Sequence, residues 1–179
     1  MTPPIIQFHP VSKEHSELLL RWLSAPEVRK WWGDPEKELN AIMNRKNLGT
    51  ADADGYVVQV QNTLIAYIQS WDATILDDNW KEEEPWLEGV PKGTLGIDIL
   101  IGEPNMIGKG LGGEIIEAFS EKLFAQGAKR LMIDPDAGNE RAIKAYTKAG
   151  FTPFDEHWNS KGGTILMELT RDKIEARND

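Results

Sequence analysis

The residues most clearly suited to chemistry lie in the run Glu103-Pro104-Asn105-Met106-Ile107-Gly108-Lys109-Gly110-Leu111-Gly112-Gly113. Between Gly108 and Gly113, four of six residues are glycine, and inside a helix each would cost about 1 kcal/mol relative to alanine. Their physical use is to let the backbone come close to a ligand. The first N–H groups of a helix have no internal partners, and the helix dipole favours an anion there. A pyrophosphate fits such a place, and Lys109 adds a cation. Tight packing at a glycine-rich helix start is the plainer alternative. A P-loop needs Ser or Thr after Gly-Lys, and here Gly110 follows Lys109; Gly108, Gly110 and Gly113 do have the spacing of the dinucleotide fingerprint, but that fingerprint belongs to an early strand–helix–strand unit and this run lies past residue 100.

The flanking elements must position this run. Thr94 to Ile101 reads as a strand, with Leu95, Ile97, Ile99 and Ile101 alternating against Gly96, Asp98 and Leu100. Leu111 to Ala125 reads as an amphipathic helix with Leu111, Ile115, Phe119 and Leu123 on its apolar face. Upstream, a strand is expected over Ile5 to His9 and a helix from a Ser12 cap to about Leu23. A second helix is expected at the capping-box pattern Ser24-Ala25-Pro26-Glu27, and a short third one through Leu39, Ile42 and Met43. Asp52-Ala53-Asp54-Gly55 is a turn signal before a hairpin, Tyr56 to Val60 and Leu64 to Ser70, around Gln61-Asn62-Thr63. Asp72 to Lys92 reads as a long acidic loop containing Trp80, Pro85, Trp86 and Pro91, a length that points to function. Downstream come a strand at Arg130 to Ile133 and a helix capped by Asn139 and ended by Gly150. Two closing strands follow, Phe151 to His157 and Thr164 to Leu169, linked by a Gly162-Gly163 turn. The order predicts an α/β (α+β) fold with a mixed sheet flanked by helices.

The 179 residues fit a single domain over 1–179 with a substantial core. Without cysteine, disulfides, thiolate metal sites and a cysteine nucleophile are excluded. His9, His15 and His157 have no ligand spacing, so no metal is expected. The net charge of −9 disfavours nucleic acid as a partner and slightly favours a small cationic substrate, although acidity also serves solubility. No apolar run approaches the roughly 20 residues of a membrane helix, and Met1-Thr2-Pro3-Pro4 lacks signal-peptide character. The expectation is a cytoplasmic protein, monomer or homodimer, without a membrane partner.

Gly108-Lys109-Gly110-Leu111-Gly112 resembles the acetyl-CoA pyrophosphate loop of the GNAT acetyltransferases, Gln/Arg-x-x-Gly-x-Gly/Ala. Ile107 stands where that pattern has Gln or Arg. The segment from Asn139 to Phe151 resembles the family's Asn-x-x-Ala-x-x-x-Tyr-x-x-x-Gly-Phe, with Ala142, Tyr146, Gly150 and Phe151 in register. The resemblance implies a GNAT fold whose splayed strand pair holds acetyl-CoA as cosubstrate. It implies backbone contacts to the pantetheine arm from Ile99, Leu100 and Ile101, and to the pyrophosphate from Ile107, Gly108, Lys109, Gly110, Leu111, Gly112 and Gly113. Tyr146 would give a proton to the departing thiolate, a task suited to a phenol that is neutral at pH 7. Asn139 would bond near the arm or simply cap its helix.

Further segments resemble the aminoglycoside 6′-N-acetyltransferases. They are Trp31-Trp32-Gly33, Tyr67-Ile68-Gln69-Ser70, Asp78-Asn79-Trp80-Lys81-Glu82-Glu83-Glu84, Gly96-Ile97-Asp98, and Asp134-Pro135 before Asn139. The likeness runs from about residue 6 to residue 170. It implies a polycationic amine substrate met by Trp31, Trp32, Asp78, Glu83, Asp98 and Asp134, with Asp98 positioning the amine and accepting its proton. Core packing for the tryptophans and a solvated loop or turn for the acids are the bland alternatives. Leu100-Ile101-Gly102-Glu103-Pro104 resembles instead a GNAT branch acetylating hydroxylysine-type amines in siderophore assembly. A non-catalytic acyl-CoA-binding module and a protein N-terminal acetyltransferase also stay open.

Overall fold

A computed structural model describes residues 3–45, 54–76 and 79–178. The strands are β1 (Ile6–Pro10), β2 (Gly55–Val60), β3 (Thr63–Asp72), β4 (Thr94–Ile101), β5 (Arg130–Ile133), β6 (Thr152–Asn159) and β7 (Gly162–Thr170). The helices are α1 (Ser16–Ser24), α2 (Pro26–Trp32), α3 (Pro35–Met43), α4 (Trp80–Glu83), α5 (Leu111–Ala125), α6 (Glu140–Lys148) and α7 (Arg171–Asn178). The seven strands follow the order β1-β2-β3-β4-β5-β7-β6, a mixed sheet. The chain divides into two compact units, Met1–Ser70 with Asp98–Ile115, and Trp71–Ile97 with Ile116–Asp179. β3, β4 and α5 each run through both.

In the first unit, β1, β2 and β3 form an antiparallel meander, with Ile6 opposite Val60 and Gly55 opposite Gln69. The β2–β3 turn is Gln61-Asn62, tighter than expected, and Gln61 takes the left-handed φ of 56°. Leu19, Trp22, Leu23, Val28, Ile42, Val57, Tyr67 and Leu100 share one core. At about 1.5–3 kcal/mol for each large apolar side chain, this burial is what holds the short helices on the sheet. The predicted capping box at Ser24 does not form. Ala25 is the cap residue of α2, without a side-chain bond, and Pro26 starts the helix with a pre-set φ. α3 has a true cap, Asp34 Oδ1 accepting from the Lys37 N–H at 2.9 Å. The helix expected from Ser12 begins as a 3-10 turn, Lys13–His15, before α1. The predicted turn at Asp52 begins outside the described residues.

In the second unit, β5 runs parallel to the start of β4, Thr94–Gly96 against Arg130–Met132, and antiparallel to β7. β6 is the edge strand, and Arg130 clasps β7 through Glu168 at 2.7 Å. Ala73, Leu87 and Met132 form a small core under Trp71, Trp86 and Val90. The described part of the segment expected to be a loop, from Asp72 to Lys92, carries α4 and a 3-10 turn at Pro85–Leu87. Gly162 and Gly163 lie inside β7, paired with Asn159 and Trp158, which leaves Ser160-Lys161 as the turn; the Trp158 ring occupies the space of a Gly163 side chain. β4 also departs from alternation: Gly96, Ile97 and Leu100 are buried, while Leu95, Ile99 and Ile101 are half-buried.

Candidate active site

The first unit builds an ordered polar chain around Asp98. Tyr67 and Gln69 are two apart on β3, so their side chains leave the same face. The Tyr67 hydroxyl donates to Gln69 Oε1 at 2.5 Å, and Gln69 Nε2 donates to Asp98 Oδ2 at 2.8 Å. Tyr67 is fully buried, Gln69 and Asp98 half-buried. Gly55 admits the phenol, since a Cβ there would stand 2.9 Å from its oxygen. Trp32 meets the Tyr67 ring edge-on, with centroids 6.1 Å apart, and packs against the core. Trp31 is 38% exposed and lies under the Lys30 ammonium, 4.5 Å from its ring centroid. The two predicted tryptophans therefore part company, one into the core beside the Asp98 chain and one to the surface.

Glu38 on α3 belongs to the same electrostatic neighbourhood and was not singled out by its sequence. Burial pushes its carboxyl above the ordinary value; Asp98 and Asp34 add to the rise, and Lys37 opposes it. For Tyr67, burial holds the phenol above the usual tyrosine range, with smaller pushes from Asp98, Asp54 and Glu38 against the pull of Arg45. The signal for Glu38 was its spacing: Pro35, Glu38, Leu39 and Ile42 share a helical face that is otherwise apolar.

Asp98 leads along Ile99, Leu100 and Ile101 into the glycine run. Gly108 and Gly110 take φ of 77° and 81°, left-handed values that side chains rarely adopt. Gly108 faces open space, and Lys109 is exposed. α5 begins at Leu111, so Gly112 and Gly113 fall in its first turn, where bare backbone N–H groups need partners. Ile107, half-buried, joins this loop to a 3-10 turn, Pro104–Met106. A left-handed glycine cradle ahead of a 15-residue helix is a donor set that fits a pyrophosphate.

The second unit holds the remaining candidates. Asn139 caps α6, its Oδ1 accepting from the Ala142 N–H at 3.2 Å. Tyr146 is buried on α6, and its carbonyl accepts from the Phe151 N–H at 3.0 Å across the turn at Gly150, φ 101°. Asp134 is half-buried directly after β5, where the Pro135 carbonyl accepts from Ile165. Glu83 is exposed at the end of α4. Asp78 lies outside the described residues.

Residues 12–158 match the acetyltransferase (GNAT) domain. The aminoglycoside N(6′)-acetyltransferase type 1 of Klebsiella pneumoniae is 30% identical over 164 residues, 88% of this chain and 79% of that enzyme. The structure of the aminoglycoside acetyltransferase AAC(6′)-Ib with paromomycin and acetyl-CoA superposes with a TM-score of 0.80 at 26% identity, covering 97% of this chain and 98% of that one. A second structure of AAC(6′)-Ib, with coenzyme A and kanamycin, gives 0.80 at 25% identity over 98% and 100% of the two chains. The chain belongs to the GNAT acetyltransferase family. Within it, sequence and structure place the chain close to the aminoglycoside 6′-N-acetyltransferases. Among the described residues, no helix is long and apolar enough to cross a membrane.

Proposed function

We propose that this chain transfers an acetyl group from acetyl-CoA to the 6′-amine of an aminoglycoside and so gives resistance to such drugs. The observation that carries this reading is the hydrogen-bonded carboxylate of Asp98 on the strand leading into the glycine cradle. It is supported by a relative and solved structures that are aminoglycoside acetyltransferases, some bound to acetyl-CoA, coenzyme A or kanamycin. The reading treats residues 1–179 as one catalytic domain, because β3, β4 and α5 run through both units and the family match extends from 12 to 158.

Acetyl-CoA supplies the acetyl group as a thioester, whose C–S bond breaks as the C–N bond to the amine forms. Asp98 holds the substrate ammonium and takes its proton, directly or through water. Tyr146 protonates the sulfur that leaves. Backbone N–H groups from Ile107 to Gly113 hold the pyrophosphate, with Lys109 beside them. Ile99, Leu100 and Ile101 offer backbone to the pantetheine arm, and the parallel ladder to β5 uses only Thr94–Gly96 of this eight-residue strand. Asn139 keeps its cap. Trp31, Trp32, Asp78, Glu83 and Asp134 serve the sugar rings and remaining ammonium groups.

The test is release of CoA thiol from acetyl-CoA against kanamycin-type aminoglycosides, hydroxylysine derivatives, polyamines and peptide N-termini. Saturable turnover with the aminoglycosides is expected. Turnover with hydroxylysine derivatives alone would transfer the chain to the siderophore-type reading and remove the drug substrate. Silence across the panel with acetyl-CoA bound would leave a binding module.

A further inference from the structure

The role of Asp98 rests on the proposed function; the residues that hold it form a further layer. We propose that Tyr67 and Gln69 are positioning residues for the reaction, a two-step hydrogen-bond chain that fixes the Asp98 carboxylate in the orientation that receives the substrate amine. An ionised carboxylate only accepts hydrogen bonds, so Asp98 turns the Gln69 amide to present Nε2, at 2.8 Å. That leaves Gln69 Oε1 facing Tyr67, whose hydroxyl donates at 2.5 Å. A flipped amide would set its carbonyl oxygen against the negative carboxylate and give up the phenol as donor. The two bonds therefore specify each other.

The outer end of the chain is rigid. Tyr67 is fully buried, Trp32 packs edge-on against its ring, and Gly55 leaves room for its hydroxyl. Phenylalanine would fill nearly the same volume at this place, so the hydroxyl serves Gln69 rather than packing. Because burial raises the phenol's proton affinity, it stays a donor at any working pH. Neither residue has to touch the substrate. A carboxylate held within a fraction of an ångström meets the attacking amine in a near-attack geometry, and a freely rotating one does not.

The experiment uses the full-length protein with kanamycin and acetyl-CoA, comparing Tyr67→Phe, Gln69→Leu and Asp98→Asn with the two double variants that combine Asp98→Asn with each. Tyr67→Phe and Gln69→Leu should each lower kcat/KM for kanamycin about tenfold, the worth of one lost hydrogen bond, with the KM for acetyl-CoA unchanged. On the Asp98→Asn background the same changes should add less than about twofold, because they act through the group already removed. Gln69→Glu, which sets a second carboxylate against Asp98, should fall at least as far as Gln69→Leu. Parental activity in both single variants, or losses that multiply undiminished on the Asp98→Asn background, would overturn the positioning role. Should Tyr67→Phe also lose acetyl-CoA binding through misfolding, the half-buried Gln69→Leu decides. Parental activity in Asp98→Asn alone would remove the proposed acceptor and this chain with it, an outcome read from that one variant.

Discussion

The indole N–H of Trp22 donates to Oε1 of Glu103 at 2.9 Å, tying the buried last turn of α1 to the first turn beyond β4. The two meet because Gly102, beside Glu103, has no side chain: a Cβ there would overlap the Trp22 ring. The Gly102 and Glu103 N–H groups both donate to the Ile65 carbonyl, at 2.8 and 3.3 Å. The chain therefore enters the glycine loop from a fixed point.

Glu103→Leu should destabilise the protein by about 1–3 kcal/mol, because it strands the N–H of a fully buried tryptophan. Glu103→Gln keeps an acceptor and should cost less; the Arg21 contact, half in solvent, adds little. The Trp22 bond, then the Arg21 bond, hold the Glu103 carboxyl below its ordinary value. Its contribution is present above the unfolded carboxylate value of about 4.3 and is lost as pH falls through the lower folded value. Urea melts of parent and Glu103→Gln should therefore converge on acidification. A gap that stays constant with pH would show that the charge contributes nothing.

Glu38 has the opposite sign. Burial, with Asp98 and Asp34 behind it, raises its folded value, so the stability tied to its protonated form is full at low pH and fades as pH rises through that value. Glu38→Gln should match the parent in acid and exceed its melting temperature near neutrality. In the presence of kanamycin the advantage should shrink, since substrate ammonium groups relieve the repulsion between Glu38 and Asp98. A Glu38→Gln protein that melts lower at neutral pH than the parent would mean that Lys37 outweighs burial.

Tyr146→Phe should lower kcat by about 10²-fold or more, the usual worth of general acid help, and leave acetyl-CoA affinity within about twofold. Steady-state kinetics with calorimetric binding of acetyl-CoA checks both halves. Unchanged turnover would remove Tyr146 from the proton-donor role and make its burial on α6 a packing feature.

The parts of this fold that were legible in the sequence are those fixed by local rules. The span of β4, the length of α5 and the Asn139 cap follow from side-chain period and capping chemistry, and Gly150 follows from the left-handed turn it must make. Errors fall where distant neighbours decide. On β4 the apolar Leu95, Ile99 and Ile101 are only half-buried while Gly96 and Leu100 are buried, and Gly163 joins β7 by pairing with Trp158, whose ring fills the space of a side chain there. The candidate site divides in the same way. The glycine run and Asp98 were visible as motif residues, whereas Gln69, present in a recognised segment, had no role until β3 brought it to Asp98, 29 positions on. Glu38 was hidden for a different reason: an acidic residue on a short helix usually points to water, and only packing sets it among like charges.

The chain from Asp98 to Tyr67 also fixes the route by which a proton can travel. It ends in a buried phenol that burial makes reluctant to give up its own hydrogen. Such a chain is a brace and not a wire. In the proposed reaction, a proton taken up by Asp98 cannot be relayed inward to Tyr67 through Gln69. What the brace supplies to that reaction is orientation alone, so its loss should misplace the carboxylate without closing a path for protons.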